Sequence, residues 1–262
     1  MNTRPITLAV CAGLLLSLGF TASAQTPPSP TAIPSDGNFH AHPRWNARCI
    51  ERVGAMIGKP CDILFIGDSI TQNFGDDSNG IWNVADEVTL HYLPNPNDIP
   101  FPMTGRSVWE RYYGKRNALN FGVGADRTEN ILWRMDNLDI RQFKPKVVVI
   151  LAGTNDTDTA SPAQIAEGVK AIVDKSHQMF PDAGIILVSI LPRGSVLDKV
   201  TQTNAILKTF ADNHTVYYLD LFSKFKPVGD GWQGIGFDKV HLYPEGYEIW
   251  ASNMEPLLRK LL

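Results

Sequence analysis

A large excess of charge of either sign is missing: 27 Asp and Glu stand against 24 Lys and Arg, a net charge of −3 at pH 7. That balance gives no electrostatic case for nucleic acid or for an anionic membrane surface. Cysteine is scarce, with three in 262 residues. Cys11 lies in an apolar N-terminal run, so Cys49 and Cys61 supply at most one bridge; two small buried side chains are the other reading. The dense Asp/His clusters that two-metal sites need are absent. So is the Gly-x-Ser-x-Gly pattern of the α/β-hydrolase nucleophile elbow. There are no internal repeats and no second domain. What remains is ordinary globular material, 44% hydrophobic and 19% charged, of a length that suits one α/β domain.

The ends of the chain differ from its middle. Arg4 gives a positive start, Ile6 to Phe20 is an apolar run, and Ala22-Ser-Ala24 is a small-residue cleavage site. Residues 1–24 therefore read as a secretory signal peptide, removed on export to the periplasm or the medium. The run is too short to favour a stable membrane anchor. Residues 25–43 are Pro-rich at their start and read as a flexible linker. The folded domain is expected over 44–262.

Within it, Trp45 to Ile57 has helical spacing and stops at Gly58. Residues 62–66 read as a buried strand ending at Gly67. Ser107–Tyr113 reads as a short helix and Ala118–Val123 as a second strand. Asp126-Arg-Thr-Glu129 is a capping-box pattern that starts a helix at Arg127. Lys146–Leu151 is a continuous apolar run, as in a central parallel strand. Ser161-Pro-Ala-Gln164 opens the next helix with Ser as cap and Pro in the first turn. Ile185–Ile190 and Val216–Leu219 are further strands, separated by a helix over Val196–Asn213, and Tyr247–Leu262 is a closing helix. Strands alternating with helices predict a parallel sheet covered on both faces. Residues 76–104 break the rhythm. They hold Trp82 and Tyr92, several acidic residues and prolines, and no Lys or Arg. A stretch this long is either a lid or side wall of an active site or an insertion over an apolar patch.

Four segments carry chemistry: Gly67-Asp68-Ser69, Asn120 to Asp126, Gly153-Thr-Asn155-Asp156, and Asp238-Lys-Val-His241. The first three follow predicted strands, whose carboxyl ends lie along one edge of a parallel sheet, where ligands bind. Ester hydrolysis needs a nucleophile, a base, a group that orients the base, and donors for the oxyanion. Ser69 supplies the first, His241 the second and Asp238 the third. Asn155 offers a side-chain amide, and Ser69 and the 122–125 loop offer backbone N–H groups.

These blocks, in this order and at these intervals, resemble the SGNH hydrolases, the GDSL esterase/lipase superfamily. The segment Asn120-Phe-Gly-Val-Gly-Ala-Asp-Arg-Thr-Glu-Asn-Ile-Leu-Trp-Arg134 resembles the branch that holds the catalytic subunits of platelet-activating-factor acetylhydrolase. The likeness covers about residues 45–262. It implies a flavodoxin-like three-layer α/β/α sandwich around a five-stranded parallel sheet. It implies ester hydrolysis without metal or other cofactor, through Ser69, Asp238 and His241. It also implies an oxyanion hole of Ser69, Asn155 and the residue at position 125. Where that branch has Gly before the Asp of the second block, this chain has Ala125. The role is a backbone N–H, which Ala retains at a cost of roughly 1 kcal/mol if φ is positive. Gly124 is the alternative donor.

The expected activity is hydrolysis of short acyl esters, acetyl first, on a carbohydrate or similar neutral alcohol. Asp68, Trp82 and Tyr92 are candidate substrate contacts. A lipase or lysophospholipase acting on longer acyl chains is the main rival. A metallophosphoesterase with Asp68, Asn155, Asp238 and His241 as ligands and a catalytically silent carbohydrate-binding protein are the others. Neither a nucleic-acid partner nor a metal is expected.

Overall fold

The apolar runs become strands where the pattern puts them. In the computed structural model, which describes residues 28–35, 50–51, 53–75 and 103–262, these are β1 (Ile63–Gly67), β2 (Ala118–Asn120), β3 (Val147–Leu151), β4 (Gly184–Val188) and β5 (Val216–Leu219). They form one five-stranded sheet in the order β2-β1-β3-β4-β5, and every pairing is parallel. This is the flavodoxin-like order, with a switch point between β1 and β3 where the chain reverses its direction of growth.

The helices are α1 (Ser69–Gly75), α2 (Arg106–Tyr113), α3 (Thr128–Asn137), α4 (Pro162–Met179), α5 (Leu197–Leu207) and α6 (Pro244–Leu261). Successive strand residues point to opposite faces, and both faces are buried, so β1 and β3 are apolar throughout. Leu64, Ile66, Val148 and Ile150 meet the apolar sides of α3, α4 and α5. Ile63, Phe65, Val147 and Val149 meet α1, α2 and α6. Each fully buried side chain of this size contributes roughly 1.5–3 kcal/mol, so three layers around one sheet are well supported.

The second face fixes the helix that carries Ser69. A seven-residue helix such as α1 is marginal alone. Its Phe74 is fully buried, with ring centroids of Tyr247, Trp250, Trp109 and Tyr113 at 4.7, 5.0, 5.5 and 5.5 Å. The Tyr247 hydroxyl also donates to the Ile70 carbonyl at 2.8 Å. Gly67 allows β1 to pass closely into α1: a Cβ there would lie 2.1 Å from Thr71 Oγ1 and 2.4 Å from the Leu151 carbonyl.

Several expectations need correction. Residues 28–35 are not a free linker. The Ser29 N–H donates to Glu167 Oε1 at 2.9 Å and the Thr31 hydroxyl to the Gln164 carbonyl at 2.5 Å. The Thr128 hydroxyl reaches the Thr31 carbonyl at 2.9 Å, and Ser35 exchanges bonds with Glu129 and Asn130. The strap docks by polar groups rather than an apolar stripe, so hydrophobic periodicity does not reveal it. Gly168 lets it lie close, since a Cβ there would be 2.7 Å from the Thr31 carbonyl.

The capping box of α3 is shifted by one residue: Arg127 is the N-cap, and its N–H donates to Asn130 Oδ1. Asp126 is drawn away into an ion pair with Arg134. The β2 ladder stops at Asn120, although the Phe121 and Val123 N–H groups still donate to the Phe65 and Gly67 carbonyls. The helix expected over Val196–Asn213 ends at Leu207 and passes into a 3-10 turn over Lys208–Phe210; beyond it Asp212 Oδ1 accepts the N–H groups of His214, Thr215 and Val216. The closing helix starts earlier, with Pro244 in its first turn, a favoured place for proline. The last long loop holds a small antiparallel hairpin, β6 (Pro227–Val228) and β7 (Gly231–Trp232).

Of the helix expected over 45–57, residues up to 49 lie outside the described set; residues 53 and 54 are helical, and Gly58 has φ +77°. Cys61 is a buried free thiol, its pKa pushed up to about 12 by burial and the nearby Asp62 charge. Cys49, the expected signal peptide and residues 76–102 with Trp82 and Tyr92 lie outside the described residues. Among the described residues, no helix is long and apolar enough to cross a membrane.

Candidate active site

Ser69 is the first residue of α1, directly beyond the end of β1, and is 7% exposed. Its Oγ lies 2.8 Å from His241 Nε2, although 172 residues separate the two in sequence. The other ring nitrogen, His241 Nδ1, is 2.5 Å from Asp238 Oδ2. The three-residue interval works because Asp238 does two jobs. Its Oδ1 accepts the Val240 and His241 N–H groups at 3.0 Å each, which curls the loop so that Oδ2 meets the ring. Lys239 absorbs the curl at φ +61°. Burial raises the Asp238 carboxyl, but hydrogen bonds from His241 and Val240 and the His241 charge outweigh it, so the group lies below its ordinary value. An ionised carboxylate behind an imidazole fixes its tautomer, so that Nε2 faces the hydroxyl as an acceptor.

Three N–H donors are candidates for the oxyanion side of the site. The Ser69 N–H is the first of α1 and has no intrahelical partner. Ala125 has φ +59°, and no hydrogen bond is made by its N–H among the described residues. Asn155 sits on the 3-10 turn after β3, half-buried. Its Nδ2 donates to the Asp126 carbonyl at 2.9 Å, which leaves the second amide hydrogen for another oxygen. Gly124 is not an alternative donor, because its N–H is committed to Gln72 Oε1 at 2.7 Å.

Asp68, a candidate substrate contact, is not presented at the surface. It is fully buried, its Oδ1 accepts the Ile70 N–H at 2.9 Å as a helix cap does, and its Oδ2 is unpartnered. Burial pushes its carboxyl up to about 6. Asp156, next to Asn155, is likewise pushed up to about 6 by burial, against the pull of the Thr128 hydroxyl. Sequence reasoning missed two residues that build the site: Gln72, which ties α1 to the 120–126 loop, and Arg134, which ties Asp126, Phe121 and Gly67 together. Arg134 closes the block Asn120–Arg134, but nothing in the spacing marks a guanidinium turned inward. Among the described residues, no group of three or more His, Cys, Asp or Glu side chains is placed to hold a metal.

A parallel sheet of this order, with a hydroxyl, an imidazole and a carboxylate joined at its strand ends, describes a hydrolase of the α/β/α class. The profile of the GDSL-like lipase/acylhydrolase family matches residues 65–249, and the chain belongs to that family. It is a carboxylic ester hydrolase. Platelet-activating factor acetylhydrolase IB subunit alpha2 of Homo sapiens is 30% identical over 247 residues, covering 91% of this chain and 94% of that protein. Subunit alpha1 of Homo sapiens is 31% identical over 225 residues, 84% of each chain. The fold is similar to that of a GDSL-like lipase from Bacteroides thetaiotaomicron, with a TM-score of 0.60, 16% identity, and coverage of 86% of this chain and 100% of that one. It is also similar to an acetylxylan esterase from Geobacillus stearothermophilus, with a TM-score of 0.54, 19% identity, and coverage of 77% and 94%.

Proposed function

We propose that the chain is an exported serine esterase that removes short acyl groups, acetyl first, from a carbohydrate or similar neutral alcohol. The observation that carries this reading is the continuous hydrogen-bonded line from Ser69 Oγ through His241 to Asp238. Ser69 Oγ attacks the ester carbonyl carbon while its proton passes to His241 Nε2. The carbonyl electron pair moves onto oxygen, which faces the Ser69 and Ala125 N–H groups and Asn155 Nδ2. Collapse expels the alcohol, which takes the proton from His241. Water then gives a proton to His241 and its oxygen to the acyl carbon. The acid leaves, and Ser69 regains its hydrogen.

The acetyl preference draws on the curated relatives, whose name is that of an acetylhydrolase. The carbohydrate preference is supported by the acetylxylan esterase, alike in fold, whose substrate is an acetylated glycan. Export draws on the N-terminal pattern of residues 1–24.

The test uses protein collected outside the cytoplasm, its N-terminus read by intact mass and expected at Gln25. Native enzyme and Ser69→Ala are assayed on p-nitrophenyl acetate, butyrate and octanoate, with and without chelator. Acetate turnover that survives chelator, vanishes in Ser69→Ala and falls with chain length is expected. A rate that rises toward octanoate would replace the acetylesterase with a lipase. Loss of activity in chelator would remove the serine mechanism.

A further inference from the structure

Arg134 has no place in the mechanism above, yet it is 1% exposed and joins several parts of the site's framework. Its Nε and Nη2 lie 2.6 and 2.5 Å from Asp126 Oδ2. Its Nη1 donates to the Phe121 carbonyl at 2.9 Å, and Nη2 reaches the Gly67 carbonyl at 3.4 Å. Its guanidinium carbon stands 4.4 Å from the centre of the Phe121 ring. These partners fall on two pieces of the site: the strand end just before Asp68-Ser69, and the 120–126 loop that presents Ala125 and ends at Asp126. The Asp126 backbone carbonyl in turn accepts from Asn155 Nδ2 at 2.9 Å.

We propose that Arg134 is a positioning residue for the oxyanion side of the site, acting through Asp126 on the amide of Asn155. The role rests on the reading that Asn155 donates to the developing oxyanion. A planar, forked donor is the right group for it: one guanidinium spans a carboxylate and two carbonyls, which a lysine ammonium does not. Stability alone is a poor reason to bury such a pair, because desolvation offsets most of the attraction. Setting a strand end and a loop against one plane is a better one. Asn155 has one amide hydrogen tied to the Asp126 carbonyl, so the direction of the other follows the position of Asp126. Arg134 sets that position.

The test is a cycle of Arg134→Lys, Asn155→Ala and the double variant on p-nitrophenyl acetate, with folding checked by circular dichroism. Lys keeps a charge opposite Asp126 but not the fork. Arg134→Lys is expected to lower kcat by about 10-fold or more, the scale of a small misplacement at a reacting centre, with KM nearly unchanged. In the Asn155→Ala background the same substitution is expected to cost far less, because the donor it orients is gone. An equal loss in both backgrounds, a change confined to KM, or native kcat in Arg134→Lys would overturn the proposal. If Arg134→Lys fails to fold, Asp126→Asn replaces it in the same cycle. Failure of both to fold would assign the pair to folding instead and end the proposal. Failure of the parent reading looks different: Asn155→Ala alone would then run at the native rate.

Discussion

Ala125 is held at φ +59°, where an L-residue bears a strain of about 1–2 kcal/mol. Glycine would relieve it and return roughly 0.5–1 kcal/mol through its larger unfolded-state freedom. Ala125→Gly is therefore expected to stabilise the fold by up to about 1 kcal/mol, read as a higher urea midpoint at unchanged slope. A lower midpoint would mean that the methyl group is packed rather than tolerated. The meeting of Ser69, His241 and Asp238 and the place of Asn155 after β3 are legible in the sequence, because each is a residue type with few roles at the end of a strand or in a tight loop. Asp68 misleads for the same reason in reverse: a carboxylate beside a nucleophile suggests a ligand, while a two-residue interval to Ile70 N–H only makes a cap. Gly124 misleads because its donor is taken by a side chain 52 residues away, a distance no local pattern spans.

Strands β1, β3 and β4 are readable because the middle of a parallel sheet, covered on both sides, demands unbroken apolar runs. The strap over residues 28–35 is not, because its grip is polar. Thr128, the first residue of α3, is the joint: its hydroxyl lies 2.8 Å from Asp156 Oδ1 and 2.9 Å from the Thr31 carbonyl. The hydroxyl has one proton to give, so strap and Asp156 compete for it. Thr128→Val removes the group and leaves a buried carboxylate oxygen short of a donor, which costs about 2 kcal/mol. Urea unfolding of that variant should show a fall of this size. A native midpoint would make the strap a surface ornament. Helix α1 depends on the same kind of support from the other side, since Phe74 fills the aromatic cage that holds it.

The whole molecule hides acid in its interior. Asp68 and Asp156 both rise from 3.8 to about 6 because burial disfavours their charge. Below 3.8 folded and unfolded chains hold these protons equally, and between 3.8 and about 6 only the folded chain keeps them. The stability that a neutral carboxyl allows is thus present at low pH and is lost as pH rises through about 6. Asp238, whose value is lowered, contributes in the opposite direction. Its share is present above the ordinary carboxylate value and is lost only as pH falls through the lowered one. The melting temperature is expected to fall as pH is raised from about 4 to about 6, and Asp68→Asn to flatten that fall. Equal slopes in the two proteins would remove Asp68 from the account.

Ser69 and His241, the proposed nucleophile and base, sit 172 residues apart in the chain, and the cage behind α1 is finished by α6. A growing or threading chain therefore carries Ser69 early and remains inert, because no base stands beside it until the final residues fold home. Any chain delivered unfolded through a membrane would arrive with its chemistry switched off. Turnover of the first ester molecule then reports that synthesis and folding are both complete.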